Sequence, residues 1–354
     1  MSNVASNSLW SALASHSLVR GEPPSREPLS SPWYINALIA VSGWLAALFL
    51  MGFLGVAMTF VLKEPWVSGI LSVPTLIGAR WLIANGANDF YRHLGLAISL
   101  VGQSLFIWAT FHIDESPRTV WLSAIFVSVI LAFAMPHTLH RAFSTFAALV
   151  SLGLLLSEMS LHYVAPAIAL GVGAFSALYE FDTRRWVMAM MPFSIGAIFA
   201  TFALVTADIY GATTTFANWD QGVPPALRYV WVGDVAMVLV LIGTVRDILR
   251  RYQQPMTSRA GKFALAGGVI AGGASLLAPG IVAATTVIAL GFATAERFVT
   301  GLGILALLFY LGNYYYQLDI TLLAKAGVLA LMAIILGCLA WLHRRLHPRK
   351  EVMG

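Results

Sequence analysis

Long apolar runs alternate with short polar ones along nearly the whole chain, and the runs have the length of a membrane crossing. At 1.5 Å per residue, a helix needs roughly 20 apolar residues to traverse a hydrocarbon core of about 30 Å. Windows of about 19 residues place spans near 33–62, 66–84, 94–112, 119–136, 142–161, 163–179, 186–208, 229–248, 263–278, 280–295, 298–316 and 320–342. The pattern predicts an all-α integral membrane bundle of about twelve transmembrane helices. Helix is the expected conformation because lipid offers exposed backbone groups no partners. The ten-residue segments of alternating polarity that would mark a transmembrane β-barrel are not visible. Around Ala278-Pro279-Gly280 two short runs read either as a tight helical hairpin or as one re-entrant element, so ten is the alternative count. Pro74 and Pro192 fall within expected spans and predict local kinks.

Composition agrees with this picture and sharpens it. Hydrophobic residues form 59% of the 354 and charged residues only 10%, where a soluble domain carries about a quarter. A soluble fold is therefore excluded. The net charge of +5, which in a soluble protein would suggest nucleic acid, is here a topology signal. With twelve spans and the N-terminus inside, 17 of the 21 basic residues fall in inner segments. Only Lys63, Arg118 and Arg228 fall outside, and Lys325 lies within the last span. Lys and Arg are retained in the cytoplasm, so both termini are expected there. The first run begins at Trp33 and lacks a small-residue cleavage pattern, so it reads as a retained span.

Three parts follow: a cytoplasmic arm over 1–32, a single transmembrane domain over 33–343 and a basic tail over 344–354. In the arm, Leu9, Trp10 and Leu13 can share one face of a short interfacial or partner-docking helix before Gly21-Glu22-Pro23-Pro24 ends it. The outer stretch from Tyr210 to Arg228 reads as an ordinary surface loop. The lone Cys338, inside the last run, permits no intramolecular disulfide and reads as a packing residue.

Ionisable groups inside the membrane cost roughly 2.5 to 3.5 kcal/mol each and are functional candidates by default. Asp234, beside Gly233 in an apolar helix, reads either as a buried hydrogen-bond anchor or as a functional carboxylate. Asp319 is placed to cap the start of the last span, and Lys325 lies about 9 Å deeper. They follow the aromatic run Tyr314-Tyr315-Tyr316, and the stretch reads either as a cap with an interfacial belt or as a polar cavity in which Tyr315, Asp319 and Lys325 meet a solute or ion. Gln103, near the middle of its span, is expected to bond a neighbouring helix. Gly268 and Gly272 have the small-xxx-small spacing of helix packing. Glu158 and Asp208 lie near outer ends and Arg80 near an inner one. His137 and His140 could share a helix face, but two ligands without a third make no metal site. No phosphate loop, zinc-protease motif, nucleophile elbow or cysteine pair is present, so neither an enzyme nor a cofactor is expected.

Three stretches carry a resemblance: Leu18-Val19-Arg20-Gly21-Glu22-Pro23, Ser31-Pro32-Trp33-Tyr34 running into Gly43-Trp44 through Gly52-Phe53, and Asn313-Tyr314 through Lys325. Through them the chain resembles the bacterial membrane family known as domain-of-unknown-function family 4401. The resemblance implies a polytopic inner-membrane protein without assigned activity and a membrane-anchored protein partner bearing a Gly-Asp-Tyr motif. It draws attention to Tyr314–Lys325 without giving those residues a role. Two functions are then expected, the first being a permease-like or channel-like protein for a small solute or ion. The alternative is an assembly or envelope-maintenance component that binds other membrane proteins. A water-accessible cavity reaching Asp234 and Lys325 would favour transport, and a solid core with an apolar, lipid-facing groove would favour assembly.

Overall fold

The computed structural model describes residues 64–86, 89–159, 161–180, 190–210, 230–277 and 280–317, with isolated helical positions at 15, 38, 41, 42, 45, 49, 52, 53 and 323. The described residues form ten α-helices: α1 (Pro65–Asn85), α2 (Asp89–Asp114), α3 (Pro117–Ala134), α4 (Thr138–Glu158), α5 (Ala165–Tyr179), α6 (Met191–Ile209), α7 (Val230–Arg251), α8 (Arg259–Leu277), α9 (Ile281–Thr294) and α10 (Arg297–Gln317). A 3-10 turn, His162–Val164, precedes α5. Each of the ten inner spans expected from the sequence coincides with one of these helices. The N-terminal arm, the outer loop, the basic tail and most of the first and last spans lie outside the described residues.

Prolines set several of the helix starts. Pro65, Pro117, Pro166 and Pro192 each occupy the first turn of a helix, where the missing N–H has no intrahelical partner to lose and the fixed φ suits the helix. This corrects the expectation for Pro192: it opens α6 at its first turn, so no kink follows from it. Pro74 does lie inside a helix, α1.

Sequential hairpins α1/α2, α3/α4, α5/α6 and α9/α10 are the most extensive packings. α4 joins α6, and α7 lies against α5, α8 and α9. The largest core gathers Leu170 of α5, Ile198 of α6, Leu241 of α7, Val282 and Val287 of α9 and Tyr310 of α10. At the C-terminal end of α3, two guanidiniums satisfy carbonyls that the helix leaves open: Arg80 donates to the Ala134 carbonyl and Arg141 Nε to that of Met135 at 2.7 Å.

Helix faces are reversed relative to a soluble protein. On α1, Trp66, Ile70, Val73, Ile77 and Trp81 are exposed while Ser68 and Ser72 are buried. On α3, Leu122, Phe126, Val129 and Phe133 are exposed while Ser123 and Ser128 are buried. The isolated positions Leu38, Val41, Leu45, Phe49 and Phe53, spaced three or four apart, are likewise exposed. A continuous apolar exterior of this kind is unfavourable in water and favourable in hydrocarbon. The buried hydroxyls are satisfied largely within their own helices, Ser72 donating to the Gly69 carbonyl at 2.6 Å, Thr201 to Ala197 at 2.8 Å and Thr286 to Val282 at 2.7 Å. Few directional bonds are then left to hold helices together, and close packing of small residues takes that role.

Candidate functional site in the helix bundle

Asp234 lies in the second turn of α7 and is half-buried. Its neighbour Gly233 is buried against the backbone of Tyr163: a Cβ added there would meet the Tyr163 carbonyl oxygen head-on and its carbon at 2.9 Å. α7 thus crosses the 3-10 turn at backbone contact, which fixes the position of the next residue. From α8, Ser275 turns its hydroxyl toward the Asp234 carboxyl without closing a bond of ordinary geometry. Ser275 is 0% exposed. Gly268 and Gly272 belong to the same seam, Gly272 lying where a Cβ would stand 3.0 Å from Val238 and Gly268 where it would stand 3.9 Å from Leu241, whereas Gly267 and Gly273 face open space. The small-xxx-small face of α8 is therefore turned onto α7, and the carboxylate and the hydroxyl lie at one end of that contact.

Gly280 follows the break between α8 and α9 with φ +95°, the left-handed region that glycine alone adopts without strain. Its α-carbon lies on the ring of Tyr310, whose hydroxyl donates to the Phe202 carbonyl at 3.3 Å. α8 and α9 are two distinct helices on either side of this break.

Tyr315 is half-buried near the end of α10 and meets Tyr316 edge to face at 5.7 Å between centroids. Close by, the Tyr210 hydroxyl donates to the Asn313 side-chain oxygen at 3.1 Å, joining the end of α6 to the aromatic run. Asp319 and Lys325 lie outside the described residues.

Gln103 belongs elsewhere, because α2 and α7 share no packing interface. It is buried, but its amide donates to Ser99, one turn earlier on its own helix, at 3.5 Å. The expected bond to a neighbouring helix is made by Ser99 instead, whose hydroxyl lies 2.7 Å from His140 Nε2 on α4. The other ring nitrogen of His140 lies 3.0 Å from the Ser144 hydroxyl. His137 does not join His140 in a ligand pair; its ring packs against that of His93 at 6.4 Å. Among the described residues, no three His, Cys, Asp or Glu side chains converge as a metal site. Two sequence signals did point to the string: Ser99 with Gln103, and His140 with Ser144, are polar pairs one turn apart on otherwise apolar helices.

At the C-terminal ends of α5 and α7, the Tyr179 hydroxyl donates to Asp247 at 3.3 Å, Arg250 approaches the same carboxylate at 3.9 Å and the Arg251 guanidinium lies 6.0 Å over the Tyr179 ring. These partly exposed contacts clamp two helix ends and contribute little each. Between α2 and α3 lies an open groove of about 420 Å³ lined by Ile107, Trp108, Phe111, Val120 and Trp121, with Ser104 as its hydroxyl. It does not reach Asp234.

Helices with apolar exteriors, hydroxyl-bearing interiors and isolated buried polar groups define an integral, polytopic helical membrane protein. Six of the ten are long and apolar enough to cross a bilayer: α1, α2, α3, α4, α6 and α10. The chain belongs to the family described as domain of unknown function DUF4401, whose profile matches residues 32–346. Among curated proteins and among solved structures nothing matches significantly.

Proposed function

We infer that this protein is a permease-like or channel-like component of the bacterial inner membrane, with about twelve spans and cytoplasmic termini, that passes a small ion or solute. The observation that carries the reading is Asp234 facing the buried Ser275 hydroxyl across the α7/α8 seam. A carboxyl group there costs stability and is a functional candidate by default, and one facing hydroxyl suits it in both charge states. On closing to hydrogen-bond distance, a charged Asp234 would accept a hydrogen bond from the serine hydroxyl, and a neutral one would donate its own. Lys325, expected near the same outer face, and Tyr315 belong to the reading as residues of the path.

In sealed proteoliposomes, Asp234→Asn is expected to abolish a flux that the wild type supports, with the melting temperature in detergent unchanged. Wild-type flux in Asp234→Asn would remove Asp234 from the path.

The groove between α2 and α3, apolar and apart from Asp234, favours a second reading, in which the protein binds another membrane protein during envelope assembly. Deleting residues 1–30 should then release a stoichiometric partner in detergent pull-downs while the bundle stays folded. A bundle that purifies alone from its own membrane, with or without those residues, would count against it.

A further inference from the structure

We propose that Ser99, His140 and Ser144 form a proton relay in the bundle, so that H⁺ is the cargo or the coupling ion of this protein. The inference rests on the permease-like reading for the need of a crossing path, and on residues other than Asp234 for the path itself.

His140 is 2% exposed on a membrane-spanning helix and both of its ring nitrogens end on hydroxyls, Nε2 at 2.7 Å from Ser99 and Nδ1 at 3.0 Å from Ser144. A hydroxyl both donates and accepts, so these partners suit either neutral tautomer of the ring and the imidazolium between them. The transfer balances without any co-reactant. A proton arriving through the Ser144 hydroxyl binds Nδ1 and makes the imidazolium, and the proton on Nε2 leaves through the Ser99 hydroxyl. The neutral ring that remains is the other tautomer. Rotation of the ring and of the two hydroxyls restores the first one, and one proton has entered for each that left.

On the Ser99 side the string continues by one more residue. Ser99 also accepts from Gln103, deeper along α2, at 3.5 Å. Toward the start of α4, His137 lies within electrostatic reach of His140 and packs on His93 of α2. The Nδ1 atom of His93 is buried without a hydrogen-bond partner. The ionisable groups of the surrounding helices are few. On α4 itself, Arg141 is bound to the Met135 carbonyl, and Arg80 of α1 is bound to that of Ala134. α2 carries Asp89, Tyr91, Arg92 and His93 before Ser99 and His112 and Asp114 at its far end, and α4 ends in Glu158; α3 and α6 each carry one ionisable residue, Arg118 and Asp208, at the end far from His140; α5 ends in Tyr179 and Glu180 at the near end. A polar string that served only to hold helices together could end at Ser99 and His140. This one continues through the second ring nitrogen to a second hydroxyl and lies beside two further imidazoles.

The test is proton flux into liposomes loaded with a pH-sensitive dye, driven by a valinomycin-set potassium potential, for the full-length wild type, His140→Gln, Ser99→Ala and Asp234→Asn. Glutamine can hydrogen-bond both serines but cannot carry a proton from one to the other. Wild type is expected to acidify the lumen well above protein-free liposomes and more slowly in D₂O. His140→Gln should fall to the protein-free level with an unchanged melting temperature. Ser99→Ala should lose most of the flux, and it serves as the deciding variant if the glutamine protein does not fold. Wild-type flux equal to that of protein-free liposomes, or flux retained in both relay variants, would overturn the proposal. Loss in His140→Gln with retention in Asp234→Asn leaves the relay standing and removes Asp234 from the proton path; the opposite pattern removes the relay alone.

Discussion

Gly280→Ala is expected to cost the bundle about 2 to 6 kcal/mol, since two independent penalties of about 1 to 3 kcal/mol each meet at one residue. The backbone there has φ +95°, and the new methyl would stand 2.6 to 2.7 Å from the Tyr310 ring. Neither penalty can be relieved locally, because Tyr310 is 2% exposed and its ring is held between Gly280 and α6. The check is reversible unfolding in mixed micelles of Gly280→Ala, Tyr310→Ala and the double variant. Shrinking the tyrosine removes the clash but leaves the backbone strain, so the double variant should be less destabilised than the sum of the single ones. Additive single effects would mean that the methyl never meets the ring, and a wild-type midpoint for Gly280→Ala would refute the turn geometry itself.

A second large effect is expected on α7, where two glycines ten residues apart should answer the same substitution with opposite signs. At Gly233 an added Cβ runs into the Tyr163 backbone, which cannot rotate away as a side chain would. Gly233→Ala should push α7 off the 3-10 turn, destabilise the protein by about 1 to 3 kcal/mol and move Asp234 away from Ser275. At Gly243 nothing lies within 4 Å of an added Cβ. Gly243→Ala should therefore be neutral or stabilising by up to about 1 kcal/mol, the helix-propensity gain over glycine. The two variants compared by thermal melt and by flux separate packing from chemistry. A Gly233→Ala protein that is as stable and as active as the wild type would show that close approach at Tyr163 does not position the carboxylate.

The helices were legible because a membrane favours long apolar helices; each of the ten middle runs coincides with a helix, and six of these helices are long and apolar enough to cross a bilayer. Their ends were less so. Pro192 reads as a kink when the apolar run is extended upstream through Trp186, and only the observed start at Met191 turns it into a first-turn residue. The partners of polar residues were least legible. Gln103 has the length to reach another helix, yet Ser99 one turn away accepts its amide hydrogen bond and makes the interhelical bond to His140. Whether an apolar helix turns a polar residue inward, and toward which neighbour, depends on helix rotation and on contacts between segments distant in sequence. Ser275 shows this: nothing in its own helix connects it with Asp234, 41 positions earlier. The small glycine face of α8 could be read from spacing alone because close packing needs only the absence of side chains.

The length of α9 has an electrical consequence. Its 14 residues reach about 21 Å, against the roughly 30 Å of a hydrocarbon core, and Val282, Ala283, Ala284, Val287 and Leu290 on it have no exposure at all. Most of its length is surrounded by neighbouring protein, with Phe292 near its C-terminal end the exposed exception, so most of the helix gives the bilayer no cause to thin. Wherever water follows those ends inward, a transmembrane voltage falls across a septum about two-thirds as thick as the surrounding bilayer, and the local field steepens in proportion. Each elementary charge crossing there still takes up about 2.3 kcal/mol per 100 mV, but it does so over fewer helical turns.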